Sequence, residues 1–304
     1  MLSKKDIQKE LGKGINIYPF TPDNIKENSI NLSTSKYAWP MSDGVVFIRE
    51  DGEVFNDNSF NRTFKGKKVE IKKGGKAVHD TANGQIIILL PFSTTLIETQ
   101  EVLAVEKHIA GTYHSKVGLA SHGIGHIGTM LGPGFSGHSL IAIHNISSKP
   151  LKLNVGESFV SVIFNYLNTP LDTRNNTDNG HLDKMSEFGI ILKPDERKNL
   201  NEDWKKSVLT VRDKMIESDT YKKYKVKLKS QNKALIKRYL TVSNSLLVLG
   251  IIIAVILLYF LALKLDSQTV SPVWEDRFWN VIFSGSGMFF IGLAVKFIKP
   301  KEFT

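Results

Sequence analysis

The sequence has no cysteine, which excludes disulfides and cysteine-ligated metal sites and is compatible with a cytoplasmic location for its polar part. Residues 1–20 are charged and have no apolar core, so we expect no secretory signal peptide there. Acidic residues are missing from residues 222–238, which hold eight Lys and Arg residues. The net charge of +10 therefore resides mainly in this short segment, and the remainder gives little reason to expect nucleic-acid binding.

Long apolar runs are confined to the last fifth of the 304-residue chain. Leu246–Leu263 and Phe278–Val295 are uncharged runs of 18 residues each. Runs of this length cross the hydrocarbon core of a bilayer as helices, and the alternative is a pair of buried core helices. We predict two transmembrane helices, at about 245–264 and 278–296, within a membrane segment of residues 242–299.

Basic residues flank both runs, whereas the connecting loop from Lys264 to Arg277 contains only two. Because basic flanking residues stay on the cytoplasmic side, both termini are expected there and the loop is expected outside. The basic segment 222–238 is expected to lie against anionic lipid headgroups. The predicted location is the inner membrane of a bacterial cell, with the chain crossing it twice.

The second run contains small and polar residues as well as apolar ones. Small residues let transmembrane helices approach each other closely, whereas polar residues in a bundle can line a narrow pore. Both interpretations, helix packing and pore lining, stay open for Asn280, Ser284, Ser286 and Gly287.

Residues 1–170 are predicted to form a mainly β domain, because short runs of β-branched and aromatic residues alternate with Gly, Asn, Asp and Pro. Within it, Ser3–Leu11 is predicted as a helix with Ser3 as its N-cap. The clearest predicted strands are Gly44–Arg49, Lys68–Lys72, Gln85–Leu90, Thr95–Val105, Ser139–His144 and Phe159–Tyr166.

The part of the chain between the β domain and the apolar runs divides in two. Residues 171–200 are polar and turn-rich, and they are predicted as an irregular linker. Residues 201–241 are predicted as a helical, basic stalk with one apolar stripe. That stripe is typical either of packing against the β domain or of a seam between helices in an oligomer, and it consists of Trp204, Val208, Val211 and Met215.

Five short motifs in residues 1–167 follow one another in an order and spacing that resemble the dCTP deaminase and dUTPase-like family. They are the opening MLSKKDIQKELGKGINIYPF, Ser29-Ile30-Asn31-Leu32, Lys116-Val117-Gly118-Leu119 with His122, Gly132-Pro133-Gly134-Phe135-Ser136-Gly137-His138, and the set Asn145, Pro150, Leu151 and Gly156. The resemblance implies a dUTPase-like β-barrel that forms a trimer and holds nucleotide between subunits. The expected architecture is this barrel, then the helical stalk and the two transmembrane helices.

The residues that would carry the family's chemistry are replaced. Ala142 occupies the position of the glutamate that activates water in the deaminases, and Gly132 that of the aspartate in the dUTPases. Neither a methyl group nor a hydrogen atom can accept and return a proton. Lys116 stands where the family has an arginine, which keeps the charge but loses the bidentate geometry. The sequence therefore predicts that the chain is not an enzyme and has no catalytic residue.

Nucleotide binding is still expected beside the glycine-rich stretch 121–137, whose backbone can approach a phosphate closely. The alternative for this stretch is a long flexible loop. Nearby hydroxyls, imidazoles and an ammonium group can contact phosphate oxygens. No metal or other cofactor is expected, because no carboxylate accompanies the histidines. The predicted ligand-binding residues are Thr112, His114, Ser115, Lys116, His122, Gly132, Phe135 and Ser161.

These expectations favour a non-catalytic membrane effector that senses a nucleotide or short oligonucleotide. As a homo-oligomer, it would form a ligand-gated pore in bacterial antiphage defence, and a nucleotide-synthesising enzyme would be its partner. One alternative is a membrane-anchored pyrimidine deoxynucleotide deaminase or diphosphatase. The other is a scaffold in which the β domain only assembles the transmembrane helices.

Overall fold

A computed structural model of the chain describes the β region and the helices that follow it. The residues fall into two units, Met1–Lys223 and Tyr224–Thr304. The described residues are 1–56, 66–126, 128–170 and 182–239, together with Gly250, Ile253 and Ile256.

The two apolar runs that are predicted to cross a membrane lie outside these described residues, apart from the three isolated positions. In the described part of the chain, no helix is both long enough and apolar enough to span a bilayer. The predicted pore or packing residues also lie outside it; they are Asn280, Ser284, Ser286 and Gly287. The two spans therefore stay predictions.

The first element is the helix α1 (Lys4–Glu10). Ser3 caps it, since the Ser3 hydroxyl accepts a hydrogen bond from the Asp6 backbone N–H and the Asp6 carboxylate accepts one from the Ser3 backbone N–H. Ile7 anchors the helix because its side chain is buried. The prediction of a helix capped by Ser3 is confirmed.

Strands dominate the following 160 residues or so. In chain order they are β1 (Ile15–Tyr18), β2 (Ser29–Pro40), β3 (Gly44–Arg49), β4 (Val54–Phe55), β5 (Gly66–Ile71), β6 (Val78–Thr81), β7 (Gly84–Leu89), β8 (Ser93–Val105), β9 (Ile109–Ser115), β10 (Ile124–Gly125), β11 (Met130–Leu131), β12 (Ser136–Asn145), β13 (Leu151–Asn154) and β14 (Ser158–Tyr166). A short helix, α2 (Val117–Ala120), follows β9.

Antiparallel pairing joins these strands into one large sheet and two small ones. Across the large sheet the order is β10-β12-β8-β2-β14-β9-β11, and β1 also pairs with β8. The small sheets have the orders β13-β7-β6 and β4-β3-β5. The prediction of a mainly β domain is confirmed.

Alternation along β12 separates a core side from an outer side, because successive residues of a strand point to opposite faces. The buried residues are Ser139, Ile141 and Ile143. The partly buried residues that alternate with them are His138, Leu140, Ala142 and His144. Ala142, which occupies the position of the family's glutamate, lies on this outer side of β12.

Helices follow the sheet: α3 (Leu182–Glu187), α4 (Pro194–Leu200), a 3-10 turn (Asp203–Lys206), α5 (Val208–Glu217) and α6 (Asp219–Tyr239). The first two fall in residues 171–200, where the sequence predicts an irregular linker. Short isolated helices need tertiary packing, which Met185, Ile190 and Leu200 supply by contacting Trp39 and Leu96. These three buried residues are too few and too widely spaced to give a helical periodicity that could be recognised in the sequence.

The apolar stripe of the predicted stalk packs on the β domain. Val211 clusters with Val102 and Ala104 of β8, and Trp204 and Val208 pack against the same cluster. Met215 is also buried, and its sulfur lies 3.3 Å from the Ile17 backbone nitrogen. The sequence leaves two interpretations of the stripe open, and these contacts support packing against the β domain. The first compact unit accordingly continues to residue 223, past the predicted domain end at 170.

Candidate functional site

Residues 182–217, here called the strap, pack on the outer side of β2, β8 and β12. The apolar part of this contact is a cluster of Trp39, Leu96, Met185, Ile190 and Leu200. Leu140 and Ala142 pack against the cluster, and Ala142 lies opposite Leu96 in the β12–β8 pairing. The position where the family resemblance implies a carboxylate is therefore part of a hydrophobic contact.

A polar network lies beside this cluster. Glu98 on β8 is only 1% exposed, and the Asn199 side-chain amide lies 3.0 Å from each of its carboxylate oxygens. Lys205 is 5% exposed and donates to the Asn199 carbonyl and side-chain oxygens at 2.8 and 2.9 Å. His138 Nε2 lies 3.8 Å from a Glu98 oxygen. The network joins the sheet to the strap.

Burial shifts the pKa values of Glu98 and His138 in opposite directions. It raises the pKa of the Glu98 carboxyl to about 7, although hydrogen bonding by Asn199 and the charge of Lys205 act against it. Burial, together with the charge of the nearby Lys205 ammonium, lowers the pKa of His138 to about 3. At neutral pH the imidazole of His138 is neutral and Glu98 is partly protonated. Such opposed shifts are common at functional sites and also in structural networks.

A second polar region lies where β9, β10 and β12 run past each other, and we call it the histidine face. Three imidazoles there each have a hydroxyl partner: His114 with Thr112 at 2.8 Å, His126 with Ser115 at 2.7 Å and His144 with Thr94 at 2.8 Å. The β10–β12 pairing brings His126 beside His144, because Gly125, next to His126, pairs with His144, and the Ser115–His126 contact adds the end of β9. The histidine face is defined by these six residues.

Ser115 and His126 make the firmest contact of the histidine face. The Ser115 hydroxyl oxygen accepts a hydrogen bond from the His126 backbone N–H at 2.9 Å while its oxygen lies 2.7 Å from the imidazole Nδ1. Burial lowers the pKa of His126, and the His114 and His144 imidazoles lower it further. A neutral imidazole can both donate and accept a hydrogen bond, which suits a nucleotide base or phosphate.

The predicted ligand-binding residues are only partly gathered. Thr112, His114 and Ser115 share the end of β9, and Ser161 of β14 pairs with His114 while donating to Asn31 at 2.8 Å. The remaining four are spread along the segment after β9. Lys116 precedes α2, and the His122 ring bonds the Gly118 carbonyl at 2.7 Å. Gly132 and Phe135 lie in the turn before β12, where Phe135 accepts from the Val105 backbone N–H.

Sequence reasoning missed several members of these two regions. Thr94 gave no indication of its role, since its partner His144 is 50 positions away. Glu98 and Asn199 are 101 positions apart, and Asn199 lies in the stretch predicted as a linker. His126 and His144 are not among the predicted ligand-binding residues. Within the described residues, no group of three or more His, Asp or Glu residues is placed to hold a metal ion.

Comparisons with known proteins match the part of the chain that builds the histidine face. The family model described as dCTP deaminase-like matches residues 1–167. A dCTP deaminase (dUMP-forming) of Corynebacterium efficiens is 26% identical over 57% of this chain and 82% of its own length. One of Acidothermus cellulolyticus is 29% identical over 50% and 73%.

Among solved structures, the 2'-deoxycytidine 5'-triphosphate deaminase of Agrobacterium tumefaciens is 13% identical and has a TM-score of 0.37. This alignment covers 61% of the present chain and 50% of the other. A likeness of this size carries no argument of its own, so assignment to a family depends on the match to the family model.

The prediction that the chain is not an enzyme is wrong, because the curated relatives that it matches are named as dCTP deaminases. That prediction took the missing carboxylates at Ala142 and Gly132 as the loss of all proton-transfer chemistry. The structure brings other titratable groups to the same strands, among them Glu98, His138 and His144. Because the family model matches 167 of its 304 residues, the chain belongs to the dCTP deaminase-like family.

Proposed function

We propose that the β domain binds a pyrimidine deoxynucleoside triphosphate, dCTP, at the histidine face and deaminates it. The observation that carries the proposal is the family match over residues 1–167, which contain every residue of that face. The names of the relatives supply the substrate and the reaction. The imidazoles and hydroxyls supply hydrogen-bonding groups for the base and the phosphates.

Deamination of cytosine requires that water add to C4, that a group accept the proton of that water, and that ammonia leave with a returned proton. Ala142 cannot take part in these transfers. His144 lies two positions further along the same side of β12, within the histidine face. A histidine can accept and return a proton near neutral pH, so this residue is assigned the role of proton carrier in the proposal.

The test measures binding and turnover of dCTP by the full-length chain in a mild detergent. Calorimetry gives the Kd for dCTP, dUTP and dATP, and chromatography measures dUTP or dUMP formation and ammonia release. His144→Ala is expected to abolish turnover, and His114→Ala is expected to weaken dCTP binding about 10-fold, the loss of one good hydrogen bond. His108→Ala is the matched control, because His108 stacks on Tyr166 away from the histidine face.

One result would count against this function, and another against its assigned proton carrier. Failure of the folded protein to bind any of the three nucleotides would contradict nucleotide binding at the histidine face. Turnover that survives in His144→Ala would leave binding intact but reassign the proton carrier.

The chain is further proposed to be a membrane protein whose spans respond to the bound nucleotide, as a ligand-gated pore in bacterial antiphage defence. The supporting observations are the two uncharged runs of 18 residues and the basic segment before them. Ligand can act on the spans only through unequal affinity for two states. Ion flux from vesicles that contain the purified protein, with and without dCTP, tests this role, and absence of flux in both conditions would contradict it.

The absence of cysteine makes the proposed topology directly testable. Ser267→Cys lies in the loop expected outside, and Thr304→Cys lies at the terminus expected inside. A membrane-impermeant maleimide added to intact cells should label only the first variant. The opposite pattern would reverse the orientation.

Self-association is proposed because large apolar side chains surround the histidine face. Val117 is 85% exposed, Met130 80%, Phe92 73% and Ile146 71%. Exposed apolar groups in one region mark interaction surfaces. Light scattering of the detergent-solubilised chain should give a homo-oligomer, and Met130→Lys combined with Val117→Lys should shift it towards monomer.

A further inference from the structure

The strap is attached to the sheet by polar contacts as well as apolar ones. Asn199 of the strap holds Glu98 of β8, and the buried Lys205 ammonium in turn holds Asn199 and lies 3.2 Å from Glu202. A second contact joins the two parts, since the Ser136 hydroxyl donates to the Lys205 carbonyl at 2.8 Å. The Glu98–Asn199 and Ser136–Lys205 contacts each link a residue within the family match to one beyond position 167.

A second buried glutamate on the same strand gives a direct comparison. Glu101 is 3% exposed, as deeply placed as Glu98, but its oxygens accept from the Ser33 backbone N–H at 2.8 Å and from the Asn24 amide at 3.3 Å. Both partners of Glu101 precede it in the β domain. Of the two carboxylates, Glu98 is thus the one that reaches the strap.

Breaking the Glu98 network one contact at a time is unfavourable. A buried donor or acceptor that loses its partner costs the desolvation of that group, so a half-made network is worse than either extreme. If the strap leaves the sheet as a whole, water can hydrate Glu98, Asn199 and Lys205 together. The same movement uncovers the cluster around Trp39. Polar and apolar contacts therefore favour two states, docked and released, over partly detached ones.

We propose that Glu98, Asn199 and Lys205 form a latch that makes the strap dock on and leave the sheet as one unit. Release would detach the chain between residue 182 and the start of α6, which precedes the predicted membrane segment. It would also uncover the outer side of β12 around Ala142. The latch itself does not depend on the proposed ligand.

Hydrogen exchange of the full-length chain, followed by mass spectrometry without nucleotide, tests the latch. Glu98→Ala is expected to speed exchange throughout residues 194–217 by about 10-fold or more relative to β14, because the strap opens at lower free energy than the sheet. Glu101→Ala removes the same atoms from the same strand. It should speed exchange in the sheet and leave exchange in the strap, which opens separately, nearly unchanged.

Asn199→Ala provides the second arm, since it leaves the sheet unaltered. It should reproduce the fast exchange of the strap, and the double variant Glu98→Ala/Asn199→Ala should exchange no faster than the faster single variant. Equal strap-to-sheet ratios in Glu98→Ala and Glu101→Ala would overturn the latch. So would strictly additive effects in the double variant, or faster exchange confined to the residues next to Asn199.

Discussion

The outer side of β12 divides into two regions that differ in what covers them. His138, Leu140 and Ala142 lie under the strap, among the Trp39 cluster and the Glu98 network, whereas His144 belongs to the histidine face. The second region is built entirely from residues within the family match. The first needs residues 182–217, which lie beyond it. One strand face thus serves as packing surface at one end and as candidate binding surface at the other.

The largest expected effect comes from breaking the strap-covered region at its centre. Trp39 is 1% exposed and contacts the strap, so Trp39→Ala is expected to lower the free energy of unfolding by about 3–5 kcal/mol. Ile191→Ala in the strap removes a 90% exposed side chain and should change it by less than about 0.5 kcal/mol. Urea unfolding of the full-length chain, followed by far-ultraviolet circular dichroism, compares the two. Equal losses would mean that the strap adds no stability.

Much of this architecture could be predicted from local sequence patterns. The predicted strand Gly44–Arg49 coincides with β3, and Thr95–Val105 falls within β8. These strands were recognisable because β-branched runs are bounded by turn residues. The helix after Ser3 was recognisable because capping depends on residues three positions apart. Each of these features depends on neighbours in the sequence.

The strap and most of the candidate site could not be predicted, because their partners are distant. Glu98 looks like an ordinary charged residue of a strand until Asn199 lies against it. Ser115 and His126 are 11 positions apart and meet only because the segment after β9 folds back along that strand. Thr112 and His114, two positions apart on one strand face, were within reach of sequence reasoning.

A smaller effect is expected from removing a single cation under the strap. Lys205→Met keeps the aliphatic stem but leaves the Asn199 oxygens and Glu202 without their ammonium partner. We expect a loss of about 1–3 kcal/mol in unfolding free energy. The adjacent Lys206 also makes an ion pair, but its side chain is 29% exposed, so Lys206→Met should cost less than about 1 kcal/mol. Equal losses in the two variants would remove the distinction between buried and surface contacts.

The sharpest comparison concerns the pH dependence of stability, whose slope in the unaltered protein is expected to be the smallest effect. Glu98 has an ordinary pKa of 4.5 and a folded value of about 7, so in the folded protein it holds a proton between those limits. His138 has an ordinary pKa of 6.5 and a folded value of about 3, so there the unfolded chain holds the proton. From about pH 4.5 to 6.5 each state carries one proton on this pair, and the two contributions to the pH slope cancel.

Removing one member of the pair should reveal the contribution of the other to the pH dependence of stability. In Glu98→Gln the unfolded chain binds the extra proton, so the unfolding free energy should fall by about 1.4 kcal/mol for each unit that pH drops below 6.5. In His138→Asn the folded protein binds it, and stability should rise by the same amount per unit as pH falls from 7 towards 4.5. Glu202, Lys205 and Tyr37 also face the pair, and they are unchanged in both variants. Parallel pH profiles for the two variants would contradict the assignment, because opposed slopes require that the proton resides on Glu98 in the folded state and on His138 in the unfolded one.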